Sequence, residues 1–187
     1  MGNLQRELFV SPAYINRAYE DSALPIDCEQ TISQPYTVAF MTSILNIKKN
    51  EKILEIGTGS GYQAALLVLL GCKVFTVERI SGLYEKSNKI FKELNLNIVQ
   101  RLADGSIGWQ EFAPYDGIII TAAAPEIPQS MLKQLAFGGR MVVPVGDKES
   151  QTMFLIIKKS ETEFEEYNYD RFRFVPLIGK AGWDSAQ

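Results

Sequence analysis

Histidine is absent from all 187 residues. That excludes Ser-His-Asp and Cys-His catalysis and most zinc sites, so any chemistry here runs without an imidazole base. Cysteine is scarce: Cys28 and Cys72 have no metal-type spacing and are expected to be two reduced cytosolic thiols, with no metal site. An excess of one charge is also missing. Nineteen Lys and Arg face 22 Asp and Glu, and no basic run exceeds Lys48-Lys49, so the electrostatic footprint of a nucleic-acid binder is lacking. The longest apolar run, around Ala64 to Leu70, falls far short of the ~18 residues of a membrane span. No secretory leader is recognisable, and "MGNLQR" carries Arg6 where myristoylation needs Ser or Thr. A cytoplasmic, monomeric protein with a small-molecule or peptide partner is expected.

What is present is an ordinary globular composition, 46% hydrophobic and 22% charged, of a length that suits one domain over residues 1–187. Residues 1–50 read as short helices and loops. One helix starts at "SPAYINRAYED" with Ser11 as cap. A second, "PYTVAFMTSIL", opens at Pro35 behind Ser33 or Gln34, with Val38, Met41, Ile44 and Leu45 on one face. Residues 51–146 alternate. "KILEI", "KVFTVE", "NIVQR", "YDGIIIT" and "GGRMVVPV" read as strands, and "YQAALLVLL", "SGLYEKSNKIFKEL" and "PQSMLKQL" as helices. In the second helix Leu83, Ile90 and Leu94 are expected to point inward. This alternation predicts a parallel α/β sheet. Residues 147–187 differ: "QTMFLIIKK" and "EFEEYNYDRFRF" alternate with period 2 and predict antiparallel strands closing one edge.

The stretch "ILEIGTGSGY", at 53–62, places Gly57, Gly59 and Gly61 between a strand and a helix, where α/β sheets bind ligands. Nicotinamide, flavin, nucleotide phosphate and S-adenosylmethionine (AdoMet) all use such turns, and a tight turn without a ligand is a further option. The dinucleotide pattern G-x-G-x-x-G would need a glycine where Tyr62 stands, and the Walker pattern lacks its Lys-Ser/Thr. Two acids add discrimination. Glu78 ends the next strand, where a carboxylate can accept ribose hydroxyls. Glu55 suits the cationic AdoMet and would repel a pyrophosphate. Asp104, in "ADG", can read an adenine amino group or simply form a turn.

Nearly the whole chain is similar to the protein-L-isoaspartate O-methyltransferase family. The similarity runs through "LFV", "AYEDSALPI", "QTISQPY", the glycine stretch, "APYDGIIITAAAPEIP", "LAFGGRMVVPVG" and "RFVPLIGKAGW". "TISQP" and "TAAAPEIP" are more specific than the glycine loop, which most AdoMet methyltransferases share. The resemblance implies a Rossmann-like, seven-strand, mostly parallel sheet flanked by helices, with an antiparallel strand near the C-terminal edge. It implies AdoMet-dependent methylation of isoaspartyl peptides and proteins, with Ser33 as the active-site residue. AdoMet contacts are implied on the 26–33 loop and at Glu55, Gly57, Thr58, Gly59, Gly61, Glu78, Arg79, Asp104 and Gly105. Substrate contacts are implied at Thr31, Ile32, Gln34, Val175 and Pro176, with "RFVPL" either pairing with substrate as an added strand or forming an ordinary edge.

Three departures stand out. Asp27, Cys28 and Glu29 replace a Gly-aromatic-Gly/Gln pattern, Ile178 replaces a threonine, and most of a helix usual before "LFV" is missing. The acceptor carboxylate, with an ordinary pKa of about 4, is already ionised at neutral pH, so the lack of histidine costs nothing. Alternatives are a relative that methylates one dedicated peptide, an AdoMet-binding protein without turnover, and, more distantly, a nicotinamide dehydrogenase.

Overall fold

Residues 4–184 are described by a computed structural model; the "MGN" start lies outside them. The first fifty residues contain less α-helix than expected. The segment behind Ser11 is a 3-10 helix, Pro12–Arg17, and Ser11 makes no capping bond through its side chain. None of its six residues is buried, so no packed face rewards the longer α geometry. The two-residue strands β1 (Leu24–Pro25) and β2 (Thr31–Ile32) pair antiparallel, and α1 (Pro35–Leu45) follows. Pro35 opens α1 at its first turn, where a missing N–H is harmless, and Asn46 closes it at φ 50°. Gln34 is the N-cap, without a side-chain capping bond. Val38, Met41 and Leu45 are buried as expected; Ile44 is half-buried.

The alternating section contains β3 (Lys52–Ile56), α2 (Tyr62–Leu69), β4 (Lys73–Glu78), α3 (Ser81–Glu93), β5 (Ile98–Leu102), β6 (Tyr115–Ile120), α4 (Gln129–Leu132) and β7 (Leu135–Gly146). Strands β8 (Gln151–Lys158) and β9 (Phe164–Phe172) follow without an intervening helix. The seven long strands form one sheet in the order β5-β4-β3-β6-β7-β8-β9. Strands β3 to β7 are mutually parallel, and β8 is antiparallel to both of its neighbours, β7 and β9. One reversed strand next to the edge is therefore what the period-2 tail builds. Strand order turns at β3, whose successors run to one side through β4 and to the other through β6. A crevice opens there, beyond the carboxyl ends of the strands.

Side-chain alternation sorts the core onto the two faces of the sheet. Ile53, Ile119 and Val142 join Met41, Leu45, Ala64 and Leu67 of α1 and α2. Leu54, Ile56, Ile118, Ile120 and Met141 join Trp109, Met131 and Leu132 on the opposite face. A third cluster seats the N-terminal segment on α2 through Phe9, Val10, Ala18, Tyr62 and Leu66.

Two helices differ from expectation. In α3 the buried stripe is Leu83, Ser87 and Phe91, with Ile90 and Leu94 only half-buried. Ser87 tolerates burial because its hydroxyl donates to the Leu83 carbonyl at 2.8 Å and accepts from Gln100 at 2.7 Å. Helix α4 has only four residues, because Gln134 is taken by other partners. Its carbonyl accepts the Tyr115 N–H, and its side chain bonds Trp109 N–H and the Ile107 carbonyl.

Gly61 (φ 88°) is packed as well as left-handed: a Cβ there would sit 2.6 Å from the Phe91 ring. Gly138 (φ 75°) has nothing within 4 Å of its Cβ position. Gly138→Ala is expected to cost only the conformational term, about 1 kcal/mol, and Gly61→Ala on the order of 3 kcal/mol once overpacking is added. Thermal unfolding checks this: similar melting shifts for the two would show that the Phe91 ring yields freely.

Candidate functional site

A crevice partly open to solvent lies beyond β3, β4 and β6. Its floor is the glycine turn, and the three glycines do different work. Gly57 (φ 92°) leaves no room for a Cβ, which would meet Thr121 Oγ1 at 2.6 Å. That hydroxyl donates to the Ile56 and Gly57 carbonyls at 2.9 and 2.7 Å, tying the turn to the residue after β6. Gly61 packs under Phe91 and is not part of the lining. Gly59 (φ 54°) lines the crevice, and a Cβ there would touch the Gly57 carbonyl and Ile26 no closer than 3.9 Å. A ligand can approach closest there.

Glu55 and Glu78 end adjacent strands with unlike environments. Glu55 is fully buried. The register sets it beside Thr76 of β4, whose hydroxyl donates to its Oε2, and Thr58 bonds Thr76 in turn at 2.7 Å. Oε1 is buried without a hydrogen bond of good geometry, and the Ala64 backbone N–H acts on the carboxyl only weakly. Burial raises the Glu55 pKa from its ordinary 4.5 to about 8, with Glu78 adding to the rise and the Thr76 bond opposing it. Glu78 is instead saturated with backbone donors. Its Oε2 accepts the Gly59 N–H, and Oε1 accepts those of Arg79 and Ile80, all at 2.9 Å. Of roughly four acceptor positions on a carboxylate, one on Oε2 stays open. The carboxylate therefore fastens the glycine turn to the start of α3 and can accept one further hydroxyl.

The other wall comes from the N-terminal segment. Ser33 is half-buried and lines the crevice with Thr31 and Ile32. No hydrogen bond of its hydroxyl occurs among the described residues, so it does not cap α1; its carbonyl accepts from Arg6 Nη2 at 2.7 Å. The β1–β2 tip, Asp27-Cys28-Glu29, lies outside the lining. Asp27 reaches Lys86 of α3 at 2.8 Å, an exposed pair worth less than about 1 kcal/mol. Cys28 and Glu29 both take left-handed φ, 59° and 57°, a conformation glycine would adopt more easily.

Thirteen of the fifteen residues singled out in the sequence fall on or beside this crevice in the following way. Thr31, Ile32, Ser33, Glu55, Gly57, Thr58, Gly59, Glu78, Arg79, Gly105, Val175 and Pro176 line it, and Gly61 lies directly beneath. Gln34 turns to an adjoining depression shared with Tyr36, Arg171 and Arg173, which meets the crevice at Thr31, Val175 and Pro176. Asp104 does not line the crevice. It accepts from Ser106 N–H and Oγ and from Lys180 N–H, which outweigh burial and hold its carboxyl below its usual range. It thus fixes the C-terminal turn that carries Ile178, itself a lining residue, onto the crevice wall. The "RFVPL" segment is no strand of the sheet: Val175 and Leu177 bond both backbone groups of Ala123 at 2.8 Å. Pro176 has no N–H to offer an added strand.

Sequence reading missed Thr76, Thr121 and Arg6. Only strand register brings Thr76 to Glu55 and Thr121 to the glycine turn. Arg6 stands between Gln5 and Glu7, where an arginine reads as a solvated surface residue.

An orphaned buried acid, a bare left-handed glycine and a second acid with one open acceptor fit AdoMet, whose ammonium and sulfonium are cationic. They do not fit a pyrophosphate. Among the described residues no His/Cys/Asp/Glu group could hold a metal ion, and no helix is long and apolar enough to cross a membrane.

Comparison with known proteins agrees with this geometry. The family model described as Protein-L-isoaspartate(D-aspartate) O-methyltransferase (PCMT) matches residues 1–182. A protein-L-isoaspartate O-methyltransferase of Pelodictyon phaeoclathratiforme is 52% identical over 180 residues, covering 96% of this chain and 81% of that one. One from Chlorobaculum tepidum is 52% identical over 181 residues, covering 96% and 84%. A solved protein-L-isoaspartate O-methyltransferase superposes with a TM-score of 0.87 at 32% identity over 96% of this chain; the chain spans 60% of that structure's length. A Plasmodium falciparum beta-aspartate methyltransferase, solved with S-adenosyl-L-homocysteine, gives 0.80 at 22% identity over 92% of this chain and 85% of that one, a likeness of fold.

Glu55 makes stability depend on pH. Its folded-state pKa of about 8 lies above the ordinary 4.5, so its contribution is complete below pH 4.5 and is lost as pH rises towards 8. Urea unfolding between pH 5 and 8 is expected to show this decline, at most about 1.4 kcal/mol per pH unit, and Glu55→Gln should remove it. An unchanged slope in the variant would mean that Glu55 is ionised throughout.

Proposed function

Because the chain belongs to the Protein-L-isoaspartate(D-aspartate) O-methyltransferase family, we propose that it transfers a methyl group from AdoMet to the free carboxylate of L-isoaspartyl residues in damaged proteins and peptides. The observation that carries this reading is one crevice lined by Gly59, the orphaned Glu55 and the free hydroxyl of Ser33. Glu55, the Gly57-Thr58-Gly59 backbone, Glu78, Arg79 and Gly105 are the residues proposed to hold AdoMet. When bound, it supplies a methyl group on a sulfonium, already activated for transfer.

The protein's part is then positioning. An isoaspartyl carboxylate is ionised at neutral pH and needs no general base, in keeping with a chain that has no histidine. Ser33 orients that carboxylate by donating a hydrogen bond, and the half-buried turn around it limits water. Orientation of this kind contributes roughly 7–11 kcal/mol to a bimolecular transfer. The depression beyond Gln34 gives the flanking peptide room, so an extended, flexible segment is the fitting substrate. The nitrogen of the following backbone amide then attacks the ester carbonyl and expels methanol, and water opens the resulting succinimide partly to normal aspartate, both without the enzyme.

A dedicated-peptide relative was suggested by the altered 27–29 loop. Asp27 is turned to Lys86, and the loop stays outside the crevice lining, which favours the broader repair reading. A binding protein without turnover is motivated by the missing N-terminal helix and by Ile178, a lining residue where the family carries a threonine hydroxyl; the presence of Ser33, Glu55 and Glu78 in the same lining favours turnover. We keep a monomer in the cytoplasm as part of the proposal, in line with the free thiols of Cys28 and Cys72.

The test is methyl transfer from AdoMet to twin peptides that differ only in isoaspartate or aspartate at one position. Transfer to the isoaspartyl twin alone is expected. Ser33→Ala is expected to lower kcat on the order of 10- to 100-fold with AdoMet affinity unchanged. AdoMet binding with no transfer to either twin would leave a binding protein and sink the repair reading.

A further inference from the structure

Arg6 is a buried guanidinium, 1% exposed, with no ion pair among the described residues. Its Nε donates to the Ala18 carbonyl and its Nη2 to the Ser33 carbonyl, both at 2.7 Å. Nη1 is shielded from solvent and has no partner. The group lies 4.8 Å from the ring centroid of Tyr62, a residue of the crevice wall. On the far side of the same turn, Asp21 accepts the Tyr36 N–H at 2.8 Å. Residues Ser33 to Tyr36 are thus held at one end by a cation and at the other by an anion, both from the N-terminal segment. No side-chain cap of α1 does this work.

A charge removed from water is unfavourable unless it is paired and hydrogen-bonded. Arg6 has strong bonds to two carbonyls but no direct ion pair among the described residues; the Tyr62 side chain and, at longer range, the Asp21 carboxylate favour its charge. Its positive charge lies directly behind Ser33, a lining residue of the crevice. A planar fork is needed to bridge Ala18 and Ser33 at once, which a lysine cannot reproduce.

We propose that Arg6 is the positioning residue of the Ser33 turn, and that its buried, unpaired charge favours entry of the substrate carboxylate. This rests on the isoaspartyl reading above. Clamp and charge are separable. Arg6→Lys keeps the charge and loses the fork, whereas Arg6→Met loses both.

Three readouts on each purified variant decide the matter: AdoMet affinity by calorimetry, steady-state kinetics on the isoaspartyl peptide, and amide exchange at Ile32, Ser33, Gln34 and Tyr36. With AdoMet affinity kept, Arg6→Lys is expected to lower kcat about tenfold at little-changed KM and to speed exchange at those amides about tenfold. Arg6→Met is expected to raise KM about tenfold as well. Wild-type kcat and exchange in Arg6→Lys would overturn the clamp. Equal KM in the two variants would overturn the charge role. Loss of AdoMet binding in Arg6→Lys would make Arg6 a general prop of the fold and overturn both. If wild-type protein turns over no isoaspartyl peptide, the functional reading has failed instead, and amide exchange still tests the clamp.

Discussion

The crevice is organised around a carboxyl group taken out of water. Glu55 is buried at the end of β3, between β4 and β6, and only one of its oxygens is satisfied. A buried orphan acceptor of this kind is costly in a core, and it is tolerable where a ligand completes it. The arrangement follows from register. Glu55 stands opposite Thr76, Thr76 holds Thr58, and Thr58 lies in the glycine turn, so one hydrogen-bonded chain fixes both the acid and the loop that receives the ligand. Glu78 completes the frame from the next strand by gripping Gly59 and the first residues of α3. The two acids divide the labour: one is buried with an open oxygen, its charge disfavoured by burial and favoured by a cationic ligand, and the other is spent largely on backbone.

The opposite wall is built by other means. No strand of the main sheet supplies it. A two-residue hairpin, the turn before α1 and the Val175–Ile178 segment are held there by side chains reaching from elsewhere: Arg6, Asp21, Asp104 and Trp183. The ligand side thus rests on sheet geometry and the substrate side on long-range polar ties. Substitutions at Arg6 or Asp104 therefore act on the substrate wall without touching the strands.

Much of this was legible in the sequence because it rests on local signals. Alternating strands and helices, the glycine spacing and the acids at strand ends are periodic or short-range features, and they led to the sheet and to the crevice floor. What escaped depended on contacts distant in sequence. The short α4 reflects Gln134 bonding across the fold to the 107–109 loop. The Phe91 stripe depends on a buried Ser87 whose partner, Gln100, lies on another element. Asp104 leaves an adenine contact and a turn both open in the sequence, because an Asp-Gly after a strand looks the same whether its carboxylate faces a ligand or, as here, a turn 76 residues further along. Arg6 was read only as a mismatch to a lipidation motif. Nothing local announces that an arginine between Gln5 and Glu7 will be buried.

The walls of the crevice come from widely separated stretches of chain: residues 30–33, 55–60, 77–80 and 175–178. During synthesis β3, α2 and β4 can leave the ribosome and begin to pair, but the wall at 175–178 is still unmade, and so is the Lys180 amide that Asp104 holds. A nascent chain therefore has a glycine turn without an enclosed ligand site. The closing wall is thus the last part of the crevice to be made, and until it docks the strands hold together without it.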